Sequence, residues 1–445
     1  MSKLRMSGIA AGASITICLS FITQWFILTR LGAGRATDSY FAALAVPNVM
    51  LYVVGDPLNR AALPVLSVKR DDEFWSYSWT TTQTMAFLFV GIATVLFLSA
   101  PFWVPPLVPG FLPEVTRRTI FLTRILLLGM VLQGIGMGAR ASWNARGYFI
   151  WPSIAGVLGV SCSLIFLVIT LRRFGVTMAA WAFNIRFGTE CLLLLGTLGN
   201  YTLIKWKEVR PLLLKARPLI LGAAYFRTDV LVDRVLASLA PPGALSLLYF
   251  AQQLLSAIGQ VINQSVVTPS IPSLATSAHF GDWSGFRRAV RTTILALLGI
   301  AVLIMAGLLL FGGPALSLLF AHKAIGAQDI HRLLTLLLSL GGMLLADSIV
   351  YFAYSSFYSA GDTLTPTIAT AIVYSLSVAA RIAAFLLAGI VGLALAISAY
   401  YVSNAIVLLL LLRRKVRQLD AAGAAPPLPQ PSAATIPPSA TAEPF

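Results

Sequence analysis

Four charged residues stand close together in an otherwise apolar stretch of the sequence: Arg227, Asp229, Asp233 and Arg234. At about 100° per residue, the two aspartates share one face of a helix and the two arginines share another. Arginine binds phosphate through a bidentate fork, and a charge in an apolar span commonly marks a substrate or ion pathway. The stretch is therefore interpreted either as a binding surface for a phosphate and a cation, or as a set of buried ion pairs with neighbouring helices.

Two other apolar stretches contain charged residues that call for partners. Arg186 and Glu190 are spaced i, i+4, which predicts an ion pair within one helix. Asp347 stands alone in the middle of its stretch, where it could bind a cation or pair with an arginine such as Arg381. Of these two interpretations of Asp347, we favour the pair.

The stretch at 38–62 is unusually polar for an apolar helix. Pro47 removes a backbone donor and predicts a kink, and the neighbouring Asn48 can bond the freed groups. Asp56 and Arg60 follow at i, i+4, where they could form a gate at the mouth of a cavity or a simple surface pair. We expect this stretch to face protein or a water-filled cavity rather than lipid.

A stripe of uncharged amides marks a later apolar stretch. Its members are Gln252, Gln253, Gln260, Asn263 and Gln264. Amides suit the hydroxyl groups of a sugar, but they also form hydrogen bonds between membrane helices. Both interpretations stay open.

Motifs of common enzymes are missing from the sequence. There is no nucleotide-binding P-loop, no His/Cys/Asp metal cluster and no nucleophile motif. We therefore expect no enzymatic activity, no cofactor and no bound metal. Energy would come from an ion gradient, through an unidentified monovalent coupling ion, or from the membrane potential, at about 2.3 kcal/mol per charge per 100 mV.

The composition indicates the class of protein to which these residues belong. The chain of 445 residues is 58% hydrophobic and 11% charged, whereas soluble domains carry about 25% charge. This excludes an ordinary soluble enzyme and indicates an integral membrane protein. The apolar runs are continuous rather than alternating, so an all-α protein is predicted and a β-barrel is not. The net charge of +16 is attributed to loops that set membrane topology, and no nucleic-acid partner is expected.

Apolar runs of about 20 residues predict twelve transmembrane helices. They lie at 7–29, 38–62, 82–104, 119–139, 149–171, 176–198, 218–240, 244–268, 290–312, 331–357, 364–386 and 388–412. With a cytoplasmic N-terminus, the inner segments hold 19 basic residues and the outer segments hold eight. This bias predicts that both termini are cytoplasmic, and the Pro- and Ala-rich residues 416–445 are expected to form a disordered tail there.

A repeated motif divides the chain into two halves. Tyr40-Phe41-Ala42 in the second helix returns as Tyr249-Phe250-Ala251 in the eighth, and an offset of six helices predicts parallel repeats. We expect an N-terminal six-helix lobe at 1–202, a basic interfacial helix at 203–217 and a C-terminal six-helix lobe at 218–415.

Three blocks of sequence resemble signatures of the MurJ/MviN family, within the multidrug/oligosaccharidyl-lipid/polysaccharide exporter superfamily. The blocks are Leu31–Phe41 with Pro47-Asn48, then Asp233–Leu239 with Gly243–Ala251 and Pro272-Ser273-Leu274, and finally Phe357–Pro366. They occur in the family's order, and the resemblance covers roughly residues 1–412.

The resemblance implies two six-helix lobes around a central cavity and alternating access by rocking of the lobes. Characterised members of the family flip lipid II, the undecaprenyl-linked precursor of peptidoglycan. By this resemblance the chain is expected to be a flippase of a polyprenyl-linked saccharide in the bacterial cytoplasmic membrane. Its expected partners are that substrate, membrane lipids and glycan-synthesis proteins.

The cavity of the family is lined by arginines that meet the pyrophosphate of the lipid carrier. This sequence has Ser20, Gln24 and Tyr52 where basic residues would be expected, and Gln252-Gln253 where the family commonly has an acid and an arginine. An exopolysaccharide repeat unit therefore fits at least as well as lipid II. The residues expected to bind substrate are Arg30, Asp38, Asn48, Arg60, Arg227, Arg234, Gln253 and Asn263. Those expected to bind a coupling cation are Asp229, Asp233 and Asp347.

Two other functions are compatible with the sequence. The intramembrane aspartates would suit a cation-coupled exporter of small drugs, as in a neighbouring branch of the superfamily. The missing arginines would suit a scaffold of a glycan-synthesis complex that transports nothing.

Overall fold

The computed structural model describes residues 3–320 and 325–421, and within these ranges the regular structure consists of helices. The α-helices are α1 (Lys3–Leu31), α2 (Arg35–Ala43), α3 (Ala45–Met50), α4 (Asp56–Ser67), α5 (Asp71–Leu107), α6 (Pro113–Ala145), α7 (Ile150–Phe174), α8 (Thr177–Gly196), α9 (Trp206–Phe226), α10 (Thr228–Ser238), α11 (Ala244–Ile262), α12 (Thr268–His279), α13 (Trp283–Leu319), α14 (Ala327–Ser339), α15 (Gly341–Ser359) and α16 (Leu364–Ala421). Two π-helical turns, Leu51–Gly55 and Asn263–Val267, connect α3 to α4 and α11 to α12. The predicted all-α fold is confirmed.

Ten helical segments of the described residues are long and apolar enough to cross a membrane. The last of them, α16, contains two spans, because its backbone leaves helical geometry at Ala388 and Gly389. Gly389 has a φ of +58°, a conformation that glycine adopts readily because it lacks a Cβ. The chain reverses there, since Thr370 lies 3.1 Å from Asn404 on the returning half. Together with α9 and α10, which cover most of the span predicted at 218–240, the described residues contain helices at all twelve predicted positions.

The connection between the halves differs from its predicted boundaries. The interfacial helix expected at 203–217 and the span expected at 218–240 share one helix, because α9 continues from Trp206 to Phe226. It packs against α4 and α5 of the first half. The break comes at Arg227, between α9 and α10.

The last helix also extends beyond its apolar run. It continues to Ala421, so residues 416–421, which were assigned to the tail, are helical. An ion pair between Arg287 and Asp420 ties this end of α16 to α13. The rest of the predicted tail, 422–445, lies outside the described residues.

The repeated motif lies where the two halves meet. The ring of Phe41 in α2 stacks on the ring of Tyr249 in α11, with centroids 4.5 Å apart. Thr37 and Ser246, each three residues before the tyrosine of its motif, have their hydroxyl oxygens 3.4 Å apart. A π-helical turn follows the motif in each half. The same local structure therefore occurs twice, as the parallel repeat predicts.

Each half packs largely within itself. Helices α1 and α5–α8 form one group, and α11–α16 form the other. The halves touch where α1 and α2 contact α11 and where α3 and α5 contact α10. Between α1, α6, α8 and α11 this arrangement leaves a cavity.

Candidate functional site

A polar cavity of about 300 Å³ lies between the two halves. A second compartment, of about 530 Å³, adjoins the first and shares part of its wall; the two compartments together are called the path. The shared residues are Thr16, Ile17, Gln133, Arg186, Phe187 and Gln260. Most polar groups in the wall of the first compartment are hydroxyls and amides, which can both donate and accept hydrogen bonds.

Arg186 of α8 places a cationic group where the two compartments join. Its guanidinium lies over the ring of Phe187, 5.0 Å from the centroid. Its Nε is buried and has no hydrogen-bond partner among the described residues. The ion pair predicted between Arg186 and Glu190 is wrong, because Glu190 pairs instead with Arg140 of α6. Arg186 lies in the wall of both compartments and enters none of the ion pairs of the described residues, so its charge is available to an anionic group there.

The path leads from the contact between the halves to the connection between α6 and α7. Tyr40 and Tyr249 line the first compartment, whereas Asn144 and Phe149 line the second. The connection between α6 and α7 is predicted to be cytoplasmic. The cavity thus lies toward the predicted inner side of the membrane.

The predicted outer side is held closed by contacts across the halves. The carboxylate of Asp38 in α2 accepts hydrogen bonds from the backbone amides of Gly243 (2.6 Å) and Ser246 (2.8 Å). These amides begin α11, and the positive end of a helix dipole favours a carboxylate. Gly243 has a φ of +89°, and a Cβ there would lie 2.9 Å from the carbonyl oxygen of Ala33. Asp38, expected to bind substrate, instead caps a helix of the opposite half.

We expect Asp38→Ala to open the predicted outer side. The change removes two charge-assisted hydrogen bonds between the halves, about 2 kcal/mol, which alters the equilibrium roughly 30-fold. Distances between spin labels on the outer ends of the two halves would measure the opening. The control Asp282→Ala removes a cap that accepts from Gly285 within α13, so it should leave these distances unchanged. Wild-type distances in Asp38→Ala would contradict the assignment.

The charges of α10 find partners within the C-terminal half. Asp233 forms a buried ion pair of 2.9 Å with Arg381 of α16 and lies 3.4 Å from Gln252. Arg234 lies over the ring of Tyr249, 4.7 Å from the centroid. Asp233 was expected to bind a coupling cation. In the structure the guanidinium of Arg381 provides the positive charge beside it.

Asp347 and Asp229 have different surroundings. The pair favoured between Asp347 and Arg381 is wrong, because Arg381 pairs with Asp233. The carboxylate of Asp347 lies beside α11, 3.3 Å from where a Cβ on Gly259 would stand, and it enters none of the ion pairs of the described residues. Asp229 accepts a hydrogen bond of 2.7 Å from the next backbone amide of its own helix.

Four of the residues expected to bind substrate are in or beside the cavity wall, and one of them is Arg234, whose partner ring of Tyr249 belongs to that wall. Asn48 and Gln253 line the first compartment. Arg227 lies over the ring of Tyr52, 4.3 Å from the centroid, and Tyr52 is itself part of the wall. Their role in binding stays a prediction.

The other expected residues lie elsewhere. Arg30 is exposed at the end of α1, over the ring of Phe26 at 5.3 Å. Arg60 is exposed on α4, although Asp56, one turn earlier, lines the second compartment. Asn263 lies in the second π-helical turn, where its Oδ1 is buried without a partner among the described residues.

Comparison with known proteins relates the sequence to one family and the fold to solved transporters of more than one family. The family model described as "Lipid II flippase MurJ" matches residues 27–430. A protein of Synechocystis sp. named "Probable lipid II flippase MurJ" is 24% identical over 335 residues, which cover 66% of this chain but only 60% of that protein. The solved structure "Lipid II flippase MurJ, inward closed conformation" aligns with a TM-score of 0.80 at 16% identity, over 93% of this chain and 90% of that one. An inward-facing multidrug resistance MATE family transporter aligns with a TM-score of 0.77 at 15% identity, over 92% and 96%.

Proposed function

Because this chain belongs to the lipid II flippase MurJ family, we propose that it flips a polyprenyl-linked saccharide across the bacterial cytoplasmic membrane. The substrate is lipid II or the repeat unit of an exopolysaccharide. Both termini are cytoplasmic in this proposal, as the distribution of basic loop residues predicts. The chain is a multi-pass membrane protein of a transporter family, and the proposal includes no catalytic step.

The observation that carries this proposal is the guanidinium of Arg186, which has no acidic partner among the described residues, in a wall otherwise rich in hydroxyls and amides. A lipid-linked saccharide combines a diphosphate with sugars. The guanidinium offers the diphosphate charge-assisted hydrogen bonds. Side chains such as Gln24, Gln133 and Gln253 offer the sugars neutral ones. The cavity therefore supplies both kinds of group that such a headgroup requires.

The positions of the two ends of the path give the order of the transport steps. The headgroup enters from the inner side, past Asn144 and Phe149, and its diphosphate binds Arg186. Rocking of the halves then breaks the cap between Asp38 and α11 and opens the outer side. An inside-negative membrane potential favours outward movement of an anionic headgroup, by about 2.3 kcal/mol per charge per 100 mV.

The purified protein in liposomes tests this function directly. Lipid II and an undecaprenyl-diphosphate oligosaccharide would be supplied separately, and an impermeant enzyme acting on the headgroup would report its arrival in the outer leaflet. Flipping of either substrate supports the proposal. Failure with both, from protein that is folded, would contradict it and leave the scaffold hypothesis.

Sodium should not be required for this flipping. The guanidinium of Arg381 already provides a cation to Asp233, at 2.9 Å, so a bound Na⁺ there would meet like-charge repulsion. We expect flipping rates within about twofold of each other when Na⁺ is replaced by choline. A strict need for Na⁺ would contradict this coupling proposal without contradicting flipping, and it would direct attention to Asp347.

A further inference from the structure

A groove of about 540 Å³ lies away from the cavity, between the start of α13 and the end of α16. Its floor is apolar, with Phe286, Leu412 and Val416 buried. Ile294 and Leu409 continue the floor toward the middle of the membrane span. No residue of this groove lines either compartment of the cavity.

Arginines from both helices form the rim of the groove. Arg287 and Arg291 are one turn apart on α13, and Arg413 and Arg417 are one turn apart on α16. All four are exposed. Arg287 is paired with Asp420, whereas the other three enter none of the ion pairs of the described residues. Three cationic groups therefore face one apolar floor without a compensating acid.

The position of the groove narrows the choice of ligand. The two helix ends belong to segments predicted to be cytoplasmic, at the level where lipid headgroups lie. Basic pockets between membrane helices on this side bind anionic headgroups. A small soluble anion would use the arginines but not the apolar floor, whereas acyl chains would cover Ile294 and Leu409.

We propose that this groove binds an anionic phospholipid of the cytoplasmic leaflet. The phosphate lies among Arg291, Arg413 and Arg417, and the acyl chains follow the apolar floor. Such a lipid would join α13 to α16 and stabilise the C-terminal half. It is distinct from the substrate that is flipped, so the proposal does not depend on the function of the cavity.

Binding can be measured on the purified full-length protein in neutral detergent micelles. Fluorescent phosphatidylglycerol would be titrated against wild type, against R291Q/R413Q/R417Q, and against the control R117Q/R172Q/R173Q. The control removes three exposed arginines from the predicted opposite side of the membrane. Since each basic residue near an anionic lipid contributes about fivefold, we expect roughly 100-fold weaker binding in the groove variant only.

Competition identifies the occupant. Phosphatidylglycerol should displace the probe, and phosphatidylcholine or millimolar inorganic phosphate should not. Phosphatidylglycerol should also raise the melting temperature of the wild type but not of the groove variant. Equal binding by the groove variant would overturn the proposal. So would displacement by phosphate alone, which assigns a free anion, or tighter binding of undecaprenyl phosphate, which assigns the transport substrate.

Discussion

Arg186→Ala should abolish flipping in liposomes while the protein remains folded. The guanidinium of Arg186 lies where the two compartments join, and its Nε has no partner among the described residues. A diphosphate in this cavity would be largely desolvated, and removing one member of such a charge pair costs about 2–5 kcal/mol. A loss of about 4 kcal/mol corresponds to roughly 1,000-fold weaker binding. Substrate affinity and the initial flipping rate, measured side by side, would check the prediction.

A second arginine provides a matched control for this prediction. Arg124 of α6 is also within a span and lies over the ring of Phe97, at 4.9 Å, but it lines neither compartment. Arg124→Ala should flip substrate at a rate close to wild type. Arg186→Lys keeps the charge but loses the bidentate fork, so we expect intermediate activity. Wild-type flipping by Arg186→Ala would exclude this residue as the diphosphate site.

Asp233→Ala should strongly destabilise the C-terminal half. Arg381 is only 1% exposed, so removal of Asp233 leaves a buried charge without the ion pair it forms among the described residues, at a cost of about 3–5 kcal/mol. The double variant D233A/R381M removes both charges and should recover most of that loss. The free energy of unfolding in mixed micelles would be measured for wild type, the two single variants and the double variant. The four values give the coupling energy between Asp233 and Arg381.

The ion pair between Lys69 and Glu73 is the control for that cycle. It is formed at i, i+4 on the surface, with a distance of 2.9 Å, and exposed pairs contribute about 0–1 kcal/mol. If the D233A variant were as stable as the D233A/R381M variant, the loss of Asp233 alone would not leave Arg381 uncompensated. Asp229, one turn earlier on α10, would then be the carboxylate that compensates Arg381.

The helices could be predicted from the sequence because burial in lipid leaves long apolar runs. The repeat of Tyr40-Phe41-Ala42 at Tyr249-Phe250-Ala251 likewise predicted that the halves are related, and the stack of Phe41 on Tyr249 places that repeat at their contact. The break at Arg227 was missed because a helix end needs only a change in a few backbone angles. No glycine or proline stands within three residues of Arg227 to mark the end of the helix.

The partners of the charged residues were harder to predict because they come from distant parts of the chain. The i, i+4 spacing of Arg186 and Glu190 indicated a pair, but Arg140 competes from the neighbouring helix. Asp38 bonds amides more than 200 residues later, and no local pattern carries that information.

The reversal at Ala388 and Gly389 also constrains how the chain is made. With so short a connection, no hydrophilic segment separates the two spans of α16, so they should leave the insertion machinery as one hairpin. The first of them carries Arg381, whose insertion alone costs about 2.5–3.5 kcal/mol. Its partner, Asp233, is synthesised nearly 150 residues earlier. Because α10 is synthesised first, Asp233 can already be in the bilayer when the hairpin inserts, and pairing with it offsets the cost of burying Arg381.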